Sequence, residues 1–163
     1  MAAGCVPTSP RTRADLDAAL KARTGFGVGA EARRAAAVPE SVQLQDGLTE
    51  DEAVALALWN NPDLQGALAR LGFAKGDLQE AGALPNPVFS ILFPLGPKQL
   101  EMTLFQTLGA LVQRPARVAA ASKDVERVAE ELVAAGLDTA RDVRVAYAEL
   151  YRAQARLSLL TRT

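Results

Sequence analysis

Residues 81–107 read AGALPNPVFSILFPLGPKQLEMTLFQT, and this stretch decides the fold. A residue that precedes proline avoids the α region, so Pro85-Asn86-Pro87 forces an extended corner and ends the helical pattern before it. Val88 to Leu95 is rich in β-formers and predicts a strand over 88–95, with Val88, Phe89, Ile91 and Phe93 among its large apolar residues. Gly96-Pro97-Lys98 supplies turn chemistry. The next segment predicts a second strand over 100–107. Leu100, Met102 and Leu104 fall on one face, Glu101, Thr103 and Phe105 on the other, and only Phe105 breaks the pattern. Period two over this length argues for a strand whose faces meet unlike environments.

Working outward toward the N-terminus, residues 62–84 predict a helix. Leu64, Leu68, Leu71 and Leu78 provide its apolar face and Ala67, Ala69 and Ala74 are small neighbours. Asn61-Pro62 starts it: proline suits the first helical position, where no N–H is needed, and Asn61 is the N-cap. Gly66, Gly72, Gly76 and Gly82 each weaken a helix interior by about 1 kcal/mol relative to alanine. Their recurrence fits either close backbone approach to a neighbour or simple tolerance. A shorter helix over 49–60 comes before. Thr49 and Glu52 have capping-box spacing, and Glu50, Asp51 and Glu52 suit the positive end of the helix dipole better than a metal or acid–base site. Trp59 reads as a packing anchor at the junction.

Toward the C-terminus, residues from about 115 to 160 form one long helical pattern. Val118, Ala121, Val125, Val128 and Leu132 step by three and four. After a shift of phase near Gly136, Val143, Tyr147, Leu150, Gln154 and Leu157 do the same. A heptad-like seam of this kind predicts coiled-coil packing against another helix. Glu126, Glu130 and Glu131 with Lys123, Arg127 and Arg141 read as a solvated face with pairs four apart.

Residues 1–47 read as a separate leader, short helix and linker ahead of a unit spanning 48–163. Pro7, Ser9 and Pro10 mark a flexible start; Leu16 and Leu20 give a short amphipathic helix ending near Gly25; residues 24–45 have no sustained period and read as linker with one helical turn at most. Gly25-Phe-Gly-Val-Gly29 has neither a preceding strand nor a following lysine-threonine, which excludes a phosphate loop.

Composition narrows the function classes. Hydrophobic residues make up 49% of the 163, aromatics only 5%, and net charge is −1. Alanine, valine and leucine dominate, which favours helices packed along seams. The balanced, scattered charge gives no footprint for nucleic acid. With no histidine and one cysteine, a histidine triad, a His/Cys zinc site and an internal disulfide are excluded, and no constellation for catalysis, metal or cofactor emerges. No stretch of about 18 apolar residues is present, so no transmembrane helix is expected, and the start lacks the apolar core of a signal peptide.

The segments LTEDEAVALALWNNPDL (48–64), AGALPNPVFS (81–90), RPARVAAASKDVERVAEEL (114–132) and DVRVAYAELYRAQARL (142–157), in this order, resemble the N-terminal repeat of TolC-like outer-membrane efflux proteins. KARTGFGV (21–28) is similar to the lipoprotein branch linked to cobalt–zinc–cadmium-type metal efflux. The resemblance implies a mainly α fold with a β-hairpin, in which long antiparallel coiled-coil-like helices are joined through two strands. It also implies a homotrimer whose strands close a β-barrel in outer-membrane lipid while the helices form a periplasmic cylinder. A periplasmic adaptor (membrane fusion protein) and an inner-membrane pump are the implied partners.

On that reading Asn61, Pro62, Pro85, Asn86 and Pro87 are structural corners. Val88, Phe89, Ile91, Phe93, Leu100, Met102 and Leu104 are barrel positions. The helix seam is Val118, Val125, Val128, Leu132, Val143, Tyr147, Leu150 and Leu157. Family members carry two tandem repeats and this chain carries one, so a fragment lacking its export signal is expected. Ala2-Ala-Gly-Cys5 resembles the end of a lipobox and makes Cys5 the lipidation site in a full-length parent; the other reading is a free cysteine in a leader. The expected function is a passive outer-membrane efflux conduit. The rival is a soluble periplasmic helical adaptor whose 88–107 segment docks on a partner.

Overall fold

The structure is a computed structural model that describes residues 7–29, 36–45, 47–92, 101–106 and 108–161. Cys5, Phe93, Leu100 and the turn at 96–98 lie outside the described residues. Among the described residues, four helices and one two-stranded antiparallel sheet follow in the order α1 (Arg13–Thr24), α2 (Glu50–Asn60), α3 (Pro62–Gly82), β1 (Val88–Leu92), β2 (Glu101–Phe105) and α4 (Leu108–Leu160). The protein is therefore mainly helical with a hairpin.

The helix starts follow from local chemistry. Thr49 caps α2 through a reciprocal pair: its hydroxyl accepts the Glu52 N–H at 3.3 Å while Glu52 accepts the Thr49 N–H at 2.9 Å. The other Glu52 oxygen accepts the Gln43 N–H at 2.9 Å, which ties the preceding segment to the cap. These bonds, with Gln43 first, hold the Glu52 carboxyl below its ordinary range. Asn61 caps α3, its Oδ1 accepting from the N–H groups of Asp63 and Leu64, with Pro62 at the first helical position. Thr12 and Asp15 form a second capping box at α1.

One core joins the helices. Leu64, Leu68, Leu71, Ala74 and Leu78 of α3 and Val54 and Leu58 of α2 meet Val125, Val128, Ala129, Leu132 and Val133 of α4. Leu16 and Leu20 of α1, with Val28 after it, complete the same cluster. The short amphipathic helix is thus part of the helical body, covering α4 beside Gly136, where a Cβ would come within 2.7 Å of Leu20 Cδ2.

Several expectations change. α4 begins at Leu108 rather than near 115 and carries Pro115 inside it. Arg114 anchors this early part, its Nε donating to the Gly82 carbonyl at 2.7 Å. Gly136 does not interrupt the helix; the seam shifts there because glycine admits Leu20. α3 stops at Gly82, two residues short of the expected end, with Ala83 already extended. Gly66, Gly72 and Gly76 have nothing within 4 Å of a built Cβ, so tolerance, not close approach, describes them; Gly82 lies against Pro7. In the expected linker, Val28 and Val42 are buried, and the turn at 39–42 is closed by a hydrogen bond from Val42 N–H to the Pro39 carbonyl at 3.0 Å.

Candidate functional surfaces: the hairpin and the distal helix

The hairpin grows from the corner at residues 83–87. Gln106 Nε2 donates to the Pro85 carbonyl at 3.3 Å, and the Arg114–Gly82 bond closes the base one step below. Pro85, Asn86 and Pro87 are exposed and border, with Leu84, Leu108 and Leu111, an open concavity of about 410 Å³.

Every residue of β1 and β2 is exposed. Register sorts them. Val88 pairs with Phe105, Phe89 with Leu104, Ser90 with Thr103, Ile91 with Met102 and Leu92 with Glu101. Directly opposed residues share a face, so Phe89, Ile91, Met102 and Leu104 make one wholly apolar face. The other carries Ser90 and Thr103 at its centre, Val88 and Phe105 at the base, and Leu92 opposite Glu101 at the far end. Sequence reading gave the two faces of β2 but assigned none to β1, because β1 is apolar almost throughout; pairing with β2 separates Ser90 from its neighbours.

The seam divides in two. Val125, Val128 and Leu132 are buried; Val118, Val143 and Tyr147 are half-buried. Tyr147 donates its hydroxyl to the Leu48 carbonyl at 3.1 Å, the last cross-chain hydrogen bond along α4 among those described. Beyond it Leu150 and Leu157 remain 55% and 64% exposed. The seam continues past the helices that cover it, so these two positions do not join the intrachain packing. The charged face lies at the surface, but its pairing differs in part from the expected spacing of four: Arg127 pairs with Glu131 four residues on, whereas Lys123–Glu126 at 2.8 Å and Arg127–Asp124 are three apart, Glu130 pairs with Arg11 at 3.1 Å, and Arg141 pairs with Asp138 and Asp142.

Two local sites were not legible beforehand. Asp17, 7% exposed, accepts the Gly29 N–H at 2.8 Å and pairs with Lys21 at 2.8 Å. Gly27 passes so close to this carboxylate that any Cβ would overlap it, and Gly25 ends α1 with φ of 83°. The glycines in TGFGVG are thus a fold-back. The turn leaves a cavity of about 570 Å³ between α1 and α2, walled by Phe26, Val38, Pro39 and Trp59, with Lys21 and Glu40 at its edge. Asn60 holds its far side, donating to and accepting from the Ala37 backbone at 2.9 Å each way.

Among the described residues no group of three His, Cys, Asp or Glu is placed to hold a metal ion. No described helix is long and apolar enough to cross a membrane. No protein-family model matches the chain, and neither a curated protein nor a solved structure matches it.

Proposed function

We propose that the chain is a component of a passive outer-membrane channel in a tripartite efflux system, carrying metal ions or small toxic compounds. It would act as a homotrimer with a periplasmic adaptor and an inner-membrane pump, with Cys5 lipidated in the mature protein. It performs no chemistry; the pump supplies energy and this component supplies a path. The observation that carries the reading is the hairpin, exposed along every described residue of both strands, with one face of Phe89, Ile91, Met102 and Leu104 and another that mixes Ser90, Thr103 and Glu101 with Val88, Leu92 and Phe105. A strand pair of this kind suits a barrel wall, where lipid-facing and lumen-facing residues alternate. In water alone, an apolar face of this kind is an aggregation liability.

A second reading, a soluble periplasmic helical adaptor, is favoured by the continuous core that α1 to α4 build within one chain. Cysteine accessibility separates the two. Single cysteines at 89–91 and 101–104 are probed in membranes with water-soluble and lipid-soluble thiol reagents, against the background of Cys5 alone. The channel reading expects 90, 101 and 103 to react from water and 89, 91, 102 and 104 from lipid. Uniform reaction from water sinks the channel and leaves the adaptor.

A further inference from the structure

The cavity between α1 and α2 lies apart from the hairpin and the distal helix, and a passive path has no use for it. Its walls are set by hydrogen bonds. The Thr24 hydroxyl accepts the Phe26 N–H at 3.1 Å and sits 2.7 Å from the Phe26 carbonyl, which fixes the residue on one side. Val38 and Pro39 follow the Ala37 backbone that Asn60 holds from both its amide atoms, and the bond from Val42 to Pro39 closes the next turn. Trp59 stands on α2, its carbonyl accepting from Gln65 Nε2 at 3.1 Å. The volume of about 570 Å³ falls within the range of small-molecule sites. Walls formed in advance spare a ligand the cost of ordering them.

Two charged residues border this space, and they are not equivalent. Lys21 Nζ lies 2.8 Å from Asp17 Oδ2, so its charge is already matched by a carboxylate that is 7% exposed. Glu40 makes no ion pair among the described residues. The cavity therefore combines two aromatic rings, a valine and a proline with one unmatched negative charge. We infer that it binds a small organic cation, a tertiary or quaternary ammonium with an apolar body. The body removes apolar surface from water against Val38 and Pro39. The ammonium is attracted by the aromatic rings of Trp59 and Phe26, and Glu40 supplies the countercharge. A neutral aromatic would leave Glu40 unused. An anion would have to draw Lys21 away from Asp17 while facing Glu40. This inference goes beyond the channel reading and does not rest on it: no residue of the hairpin takes part, so either can fail alone.

Trp59 is the only tryptophan in the chain, so its fluorescence reports on the cavity directly. The full chain, in a nonionic detergent, is titrated with benzyltrimethylammonium, and in parallel with benzyl alcohol and phenylacetate as neutral and anionic counterparts. The cation should give a saturable change in Trp59 emission and bind about 5-fold or more tighter than benzyl alcohol; phenylacetate should give no change. Glu40→Gln, at an exposed position, should weaken the cation about 2- to 5-fold and leave benzyl alcohol unaffected. Phe26→Leu keeps apolar bulk but removes a ring, and should weaken the cation more than the alcohol. Far-UV circular dichroism checks both variants; if Phe26→Leu loses helicity, Glu40→Gln decides. Absence of a saturable change, equal affinity for cation and alcohol, tighter binding of phenylacetate, or a cation affinity indifferent to Glu40→Gln each overturns the inference.

Discussion

Replacing Gly136 by alanine asks whether α1 truly seats on α4. In an open helix the change is favourable, because glycine is about 1 kcal/mol poorer than alanine. At Gly136 the new methyl would lie 2.7 Å from Leu20 Cδ2 and 3.0 Å from Cδ1. Leu20 is 2% exposed and has no room to swing away. Overpacking of this kind costs about 1–3 kcal/mol, so the propensity gain is cancelled or exceeded and Gly136→Ala should destabilise by about 0–2 kcal/mol. Gly72 in α3 is the control: nothing lies within 4 Å of its built Cβ, and Gly72→Ala should stabilise by about 0.5–1 kcal/mol. The sign at 136 should also invert when the obstruction is removed. Leu20→Ala alone costs about 2–5 kcal/mol, but within that background Gly136→Ala should stabilise by about 1 kcal/mol. Urea unfolding followed by far-UV circular dichroism reads all four chains. If Gly136→Ala in the otherwise unchanged protein stabilises as much as Gly72→Ala, α1 does not sit there and the account of the core is wrong.

Other expectations concern caps and the fold-back. Asn61→Ala removes the acceptor for two N–H groups at the start of α3 and should lower stability by about 1 kcal/mol; Asn61→Asp, which keeps the acceptor, should lose little in the same unfolding assay. Glu52 has a folded pKa below its ordinary 4.5, so its contribution is present above that value and is lost as pH falls through the lower folded value. Glu52→Gln should flatten that acid limb of the stability–pH curve and leave the neutral side unchanged in shape. Asp17→Ala leaves the Gly29 N–H without its acceptor and should cost about 1–3 kcal/mol, whereas Asp17→Asn should lose less; equal losses would mean the Lys21 ion pair, not the hydrogen bond, holds the turn.

What could be read from sequence was whatever carries its own local signature. Caps at Thr49 and Asn61, the Pro85–Pro87 corner and the alternation of β2 depend on residues a few positions apart, and each recurs in the structure. Docking of α1 was hidden because Leu16 and Leu20 announce an apolar stripe but not its destination. Asp17 was hidden for the same reason: its partner lies across a turn at Gly29. The start of α4 was misplaced because Pro115 normally marks a boundary; here the segment before it is secured by Arg114 reaching back to Gly82, a contact no local rule supplies. The distal seam was visible as a period but not as a surface, since periodicity does not say where cover ends. Neither the channel nor the adaptor reading follows from the fold itself; both depend on what meets the hairpin.

The unbroken length of α4 has a mechanical consequence. Its 53 residues span about 80 Å at 1.5 Å each, gripped by the other helices only along the middle. A rod of this kind locks angular phase as well as distance: the compass bearing of Leu150 and Leu157 is fixed relative to that of Val125 and Leu132 by the residue count between them. Inserting a single residue after Tyr147, the last α4 position tied to another part of the chain by a described hydrogen bond, would swing the distal leucines by about 100° around the rod while leaving the gripped section untouched. Whatever meets the tail is thereby held at a set azimuth to the hairpin base, so length changes between Tyr147 and Leu150 act as rotations, not as slack.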